Sequence, residues 1–323
     1  MDREELIAML NKDLADEHAS VIRYLVHAYQ SGEDTALGSM LLAMAREEMW
    51  HMDWLADEIG EMGAEPDMKQ GVYPHDPTSN ASLLRSYIAW EDGLVRGYAV
   101  QAAQVEDSGV KKVLMQQSKE SAIHLRRFAD MLAKLGPAAE EPLVYADTGE
   151  LSTRVAGRLH QEMTGEYRLV LQHLRHAFVF DAASCPVGSE LELTAMRHMK
   201  HLSHFAEKLA ETGHGPEFVH PELETSSSMV TALQSDLELT RQARDRFAEL
   251  SRSPDLEGEA GLRTELQNMV YQEEFLASNV EGLLKEAQAS AAPVAEGEEC
   301  ELSAQTPHAS GSGGFTVGSL IEE

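Results

Sequence analysis

Apolar residues recur at spacings of three and four through eight segments, roughly 2–30, 36–63, 81–107, 110–136, 151–181, 189–213, 227–252 and 259–288. That period gathers the apolar side chains of each segment on one helical face, which must pack against a neighbour to leave water. No segment alternates with the period of a strand, so the pattern predicts an all-α protein. The breaks carry turn chemistry: Ser31-Gly32-Glu33-Asp34, a Pro/Asn/Gly-rich run over 64–80, Asp107-Ser108-Gly109, and Ser251 to Gly258. Pro137 and Pro142 interrupt the stretch from Gly136 to Gly149, which reads as a connection between two sets of four helices.

Those two sets repeat each other. LNKDLADEHASVIRYLVHAY, from Leu10, aligns with LHQEMTGEYRLVLQHLRHAF, from Leu159, at an offset of 149. MWHMDWLADEIGEMGAEP, from Met49, aligns with MKHLSHFAEKLAETGHGP, from Met199, at an offset of 150. Duplication explains both, and four helices per copy predict two tandem four-helix bundles. The expected division is a bundle over 1–137, a linker over 138–150, a second bundle over 151–290 and a tail over 291–323.

Composition narrows the function. With 323 residues, 43% of them apolar, the chain can bury two cores. Its 26 basic against 55 acidic residues give a net charge of −29, which argues against nucleic acid or an anionic membrane as partner and favours cations. The start, MDREELIAML, has no basic leader, and no run approaches the roughly 20 apolar residues of a membrane span, so a cytoplasmic protein is expected. Cys185 and Cys300 fall in a loop and in the tail, so any metal must be held by histidine and carboxylate.

Glu48 and His51 lie three apart, and Glu120 and His124 four apart, so each pair projects from one helix face. Alone, such a pair is usually a solvated face. Glu17 in the first helix and Glu91 in the third, both flanked by apolar turns, change that reading, because four successive helices then send ligands to one depth. Helices alternating in direction would bring these ligands to one centre, the arrangement of di-iron carboxylate bundles. In the second copy Glu166 and Glu238 keep single carboxylates, His198 and His201 replace the Glu/His pair, and the last helix offers Glu273 and Glu274, of which Glu274 is the expected ligand. A degenerate structural repeat and a mononuclear histidine-rich site both fit that set.

Residues 10–136 resemble bacterioferritin and its relatives, through LNKDLADEHASVIRYLVHA in the first helix and EMWHMDWLADEIGEMGAEP in the second. The resemblance implies Glu17, Glu48, His51 and Glu91 as iron ligands, with Tyr24 beside the metals. It departs in the fourth helix, where Ser121 stands three residues before His124 in place of a glutamate and Glu120 lies one further back, which predicts an asymmetric second iron position. The resemblance also implies haem b held by Met49 and Met199, since the methionine after the second-helix ligand binds haem in that family. The final SGSGGFTVGSLIEE resembles the cargo-loading peptides of encapsulin nanocompartments, in which Phe315, Thr316, Val317, Gly318, Ser319 and Leu320 would dock on the shell protein. The Ala/Pro/Glu-rich and Ser/Gly-rich run before it is expected to be a flexible tether.

Together these readings predict an encapsulated ferroxidase that oxidises Fe(II) with dioxygen or peroxide, with the homo-oligomeric state left open. A rubrerythrin-like peroxide reductase would use the same ligands, but the chain has no four-cysteine electron-donor site. A non-catalytic haem- or metal-binding electron-transfer cargo would store metal at the first site and pass electrons through Met49 and Met199. A purely structural bundle would leave the same charges solvated.

Overall fold

The computed structural model describes residues 1–72, 78–143, 151–181, 186–225 and 228–291. Among them are eight α-helices: α1 (Arg3–Ser31), α2 (Ala36–Glu61), α3 (Asn80–Gln104), α4 (Ser108–Leu135), α5 (Thr153–Asp181), α6 (Pro186–Glu211), α7 (Met229–Ser251) and α8 (Ala260–Ala291). No strand occurs among the described residues, only an isolated bridge between Ser79 and Pro142. Each helix lies within a few residues of the segment its apolar period marks.

The starts are set by side chains that satisfy otherwise orphaned amides. Asp2 accepts from the Glu5 amide while Glu5 returns the bond to the Asp2 amide, and Thr35, Ser79, Asp107 and Ser228 cap α2, α3, α4 and α7. Gly32, at φ 81°, turns the chain out of α1. A Cβ on Gly38 would lie 2.0 Å from the Gly32 carbonyl oxygen, so the first turn of α2 seats directly on that turn.

Directions follow from which ends meet. Arg3 bonds the Met62 carbonyl and Arg85 bonds Glu140, so α1 and α2 are antiparallel, as are α3 and α4. Tyr24 with Glu91 and Gln101 with Asp13 make α1 antiparallel to α3, and His124 with Glu48 and Gln117 with the His51 carbonyl do the same for α2 and α4. Consequently α2 and α3 are parallel, and the expected strict alternation does not hold. The end of α2 and the start of α3 therefore lie at opposite ends of the bundle, about 39 Å apart at 1.5 Å per residue for the 26 residues of α2. Helices α5 to α8 repeat the plan, with His176 against Asp236, His201 against Gln272 and Arg241 against Glu281.

The two bundles share a seam on which α1 and α2 meet α6 and α5. One buried apolar cluster runs across it, from Leu10 and Leu41 to Leu159 and Phe205. The Tyr167 hydroxyl lies 2.5 Å from His18 Nε2, and these residues are equivalents at the 149 offset. A residue bonded to its own repeat equivalent marks the pseudo-two-fold axis between the copies, as in an isologous dimer. Tyr29 with Ser203 at 2.9 Å and Arg175 with Glu65 at 2.6 Å extend the seam.

The expected linker begins as a 3-10 turn over Gly136–Glu140, and the Leu143 amide bonds the Thr78 carbonyl, so its first part is packed against α3. The rest of it from residue 144, both cysteines, and the tail with Phe315 to Leu320 lie outside the described residues.

Candidate metal centre

The centre of the first bundle holds charge where a core should be apolar. Glu17, Glu48, His51, Glu91 and His124 are all fully buried, although burying an ionised group without a partner is costly. They form two groups whose ligand atoms lie within 4.8 Å of one another, Glu17 with Glu48 and His51, and Glu48 with Glu91 and His124. Glu48 belongs to both. Its Oε2 lies 2.7 Å from His51 Nδ1 and its Oε1 lies 2.9 Å from His124 Nδ1, so one carboxylate faces each half.

The halves mirror one another. His51 Nε2 is 2.9 Å from Glu120 Oε2 and His124 Nε2 is 2.8 Å from Glu47 Oε2. Ionised carboxylates only accept, so each Nε2 donates outward and each Nδ1 faces the centre, the orientation that an outer carboxylate gives a metal-binding histidine. On the opposite side Tyr24 donates to Glu91 at 2.6 Å and Tyr98 donates to Glu17. The imidazole rings of His51 and His124 stack, with centroids 5.7 Å apart.

Electrostatics divides the carboxylates. Burial and the Glu48 charge push Glu17 up to about 8 and Glu91 up to about 7. Burial works against the Glu48 anion too, but the His124 and His51 charges outweigh it and hold that carboxyl well below its usual range. His51 is raised well above the ordinary imidazole value, the Glu48, Glu120 and Glu17 carboxylates overcoming burial. Protons therefore occupy a charge pocket in which Oε2 of Glu17 and Glu91 is buried without a hydrogen bond, and Glu48 Oε2 and His51 Nδ1, 2.7 Å apart, make no aligned one. Unpaired buried acceptors that converge fit a hard cation, and three carboxylates with two imidazoles fit iron.

The expected ligands Glu17, Glu48, His51, Glu91 and His124 thus come together, with Tyr24 beside them. Glu120 does not join them: its side chain is 22% exposed and serves as the outer partner of His51. Ser121 is buried at the centre with its hydroxyl unpaired. Tyr98 and Glu47 were not anticipated. Tyr98 stands seven residues after Glu91, two turns along the same face, which was a readable signal, whereas Glu47 carries none.

In the second bundle Glu166, His198, His201 and Glu273 form one buried group. The expected Glu238 and Glu274 are exposed and outside it, Glu238 bonding Gln242. The caps Ser79 and Ser228 differ by 149, so Glu91 corresponds to Thr240; α4 and α8 start 152 apart, and Glu120 and Gln272 bond the equivalent imidazoles of His51 and His201, so Glu273 corresponds to Ser121. His173, in the place of Tyr24, donates to the Leu169 carbonyl at 2.7 Å and stacks on His198, ring centroids 5.1 Å apart, without joining the group.

Met49 and Met199 are half-buried against the shared cluster. Glu17 is level with Glu48, and Glu166 with His198, so the next residues, His18, Met49, Tyr167 and Met199, turn from those levels toward the seam. There the contact between His18 and Tyr167 is direct, and both rings are buried.

Residues 156–289 match the family model for the ferritin-like domain. The matched copy is the one whose ligands depart furthest from the expected set. No curated protein matches the chain.

Proposed function

We propose that the first bundle is a ferroxidase centre, with Fe(II) as substrate, in a protein carried as encapsulin cargo. The observation that carries the reading is Glu48, a buried carboxylate shared between two groups of ligands that each add one glutamate and one imidazole. A pair of Fe(II) ions seated there gives up two electrons together, enough to reduce dioxygen to hydrogen peroxide with two protons, or peroxide to water.

The chain's own residues prepare that step. Glu48 presents an oxygen to each half, His51 and His124 are held in place by Glu120 and Glu47, and Tyr98 and Tyr24 fix the rotamers of Glu17 and Glu91. Glu17 and Glu91 release protons as cations bind, since a positive charge reverses the conditions that keep them protonated. A groove between α1 and α3, lined by Asp13, Asp16, Trp90 and Tyr98, offers acidic groups on the approach to Glu17. The negative field of the whole chain favours the same traffic.

Loading purified protein with Fe(II) without oxygen, then admitting air, tests the reading. Ferric absorbance should rise quickly in wild type and lose its fast phase in Glu48→Ala/His51→Ala; equal traces would overturn it. Support for the cargo role comes from residues 315–320 alone. Co-expression with an encapsulin shell should enclose the full chain and leave a chain lacking 311–323 outside, and equal enclosure would contradict docking.

A further inference from the structure

The second bundle carries a buried cluster that the ferroxidase reading does not use. Glu166, His198, His201 and Glu273 come from α5, α6 and α8, and each is at most 1% exposed. His198 Nδ1 lies 3.0 Å from Glu166 Oε2 and 3.3 Å from Glu273 Oε1, while His201 Nδ1 lies 3.3 Å and 2.8 Å from the same two oxygens. Two imidazole nitrogens and two carboxylate oxygens therefore form four edges of a small tetrahedron. Metal bonds of about 2.0–2.1 Å to nitrogen and oxygen give tetrahedral edges of about 3.3 Å, close to these.

The hydrogen bonding points the same way. His201 Nε2 is 2.6 Å from the Gln272 amide oxygen, an acceptor, so Nε2 carries the proton and Nδ1 turns inward. That Nδ1 has no aligned hydrogen bond despite its close carboxylates, and neither oxygen of Glu273 has one. Without metal, imidazole protons balance the two carboxylates, His198 Nδ1 hydrogen-bonding Glu166 Oε2 at 3.0 Å; a divalent cation that displaces those protons meets the same converging atoms.

We infer that the second bundle binds one divalent first-row transition-metal ion through Glu166, His198, His201 and Glu273, in a closed site that clamps α5, α6 and α8. One ion is the right number on three counts. All four ligand atoms lie within 4.8 Å of one another. The bridging carboxylate is replaced by His198, whose Nδ1 binds a single metal. Thr240 stands where the first bundle has Glu91 and brings no carboxylate. Two carboxylates cancel the charge of one such ion, and four protein ligands leave no open position for substrate, as in structural sites. The duplication thus separates the work: one copy keeps an open pair of positions and the other closes around a single ion.

The test uses the full chain carrying Glu48→Ala/His51→Ala, so that its result does not depend on the ferroxidase reading. Anaerobic titration with Co(II) should show one tight equivalent, the intense visible bands of tetrahedral cobalt, and a raised melting temperature. Adding Glu273→Gln or His201→Ala should abolish all three, with circular dichroism confirming that the helices persist. If the background chain folds poorly, Glu273→Gln in the otherwise wild-type chain should bind one equivalent fewer than wild type. An absence of tight cobalt, weak octahedral-type bands, or cobalt retained in Glu273→Gln and His201→Ala would overturn the inference.

Discussion

Tyr98 lends Glu17 the one hydrogen bond that favours its ionised form from the α3 side. Tyr98→Phe should therefore raise the Glu17 value further and let protons compete better with metal. A lost hydrogen bond to a charged group is worth about 1.5–3 kcal/mol, so binding of Co(II) or anaerobic Fe(II) at pH 7 should weaken by about tenfold or more. The loss should shrink as pH rises, because metal binding displaces protons. Titration calorimetry at pH 7 and pH 9 checks both signs. At this scale the sequence was legible where a ligand shared a helix face with apolar neighbours, as for Glu17, Glu48, His51, Glu91 and His124. It misled where two carboxylates stood side by side. Glu238 and Glu274 each lie within two residues of a buried position, and a shift that small moves a side chain across the helix surface. The 149 offset, already visible in α1 and α5, picks Thr240 in place of Glu238, whereas the last helices are offset by 152, which sets Glu273 over Ser121.

The helices themselves were plain from their period, but their directions were not, because spacing within a helix says nothing about the path of a connection. Helices α2 and α3 are parallel, and the same ligands still converge because α1 with α3 and α2 with α4 remain antiparallel. On α4, Ser121 interrupts a Glu-x-x-His pattern while its side chain faces the centre. Ser121→Glu should supply another carboxylate between the halves. Without metal it adds a buried acid and should lower the melting temperature; with metal it should tighten binding and recover that loss. Calorimetric melting with and without Co(II) measures the crossing. Phe128, fully buried against Tyr24 and Tyr87, holds α4 on α1 and α3. Phe128→Ala should cost about 3–5 kcal/mol in chemical denaturation, from lost burial and the cavity left behind.

Over the whole molecule the buried charge makes metal-free stability depend on pH in a defined direction. Asp13, Glu17 and Glu91, at about 7, 8 and 7, sit above the unfolded carboxylate range, so the unfolded chain loses these protons first. Their contribution falls as pH climbs from about 4 to about 8. His198 and His201, raised to about 10 and 9 as Glu273 and Glu166 outweigh burial, stabilise fully below about 6.5 and fade above it. His18, which burial at the seam holds down to about 4, acts oppositely and costs stability as pH falls below about 6.5. Metal-free protein should therefore melt higher near pH 6 than at pH 9, and metal should flatten the alkaline decline; a melting temperature that rises from pH 6 to pH 9 without metal would contradict this balance. The seam at His18 and Tyr167 and the two unlike centres belong to one chain whose two four-helix sets carry different ligands. Anomalous diffraction at the iron edge, from crystals loaded anaerobically with Fe(II), tests that account most directly. It should show two peaks about 3.5–4 Å apart on either side of Glu48. No iron, or a single iron, beside Glu48 would contradict it.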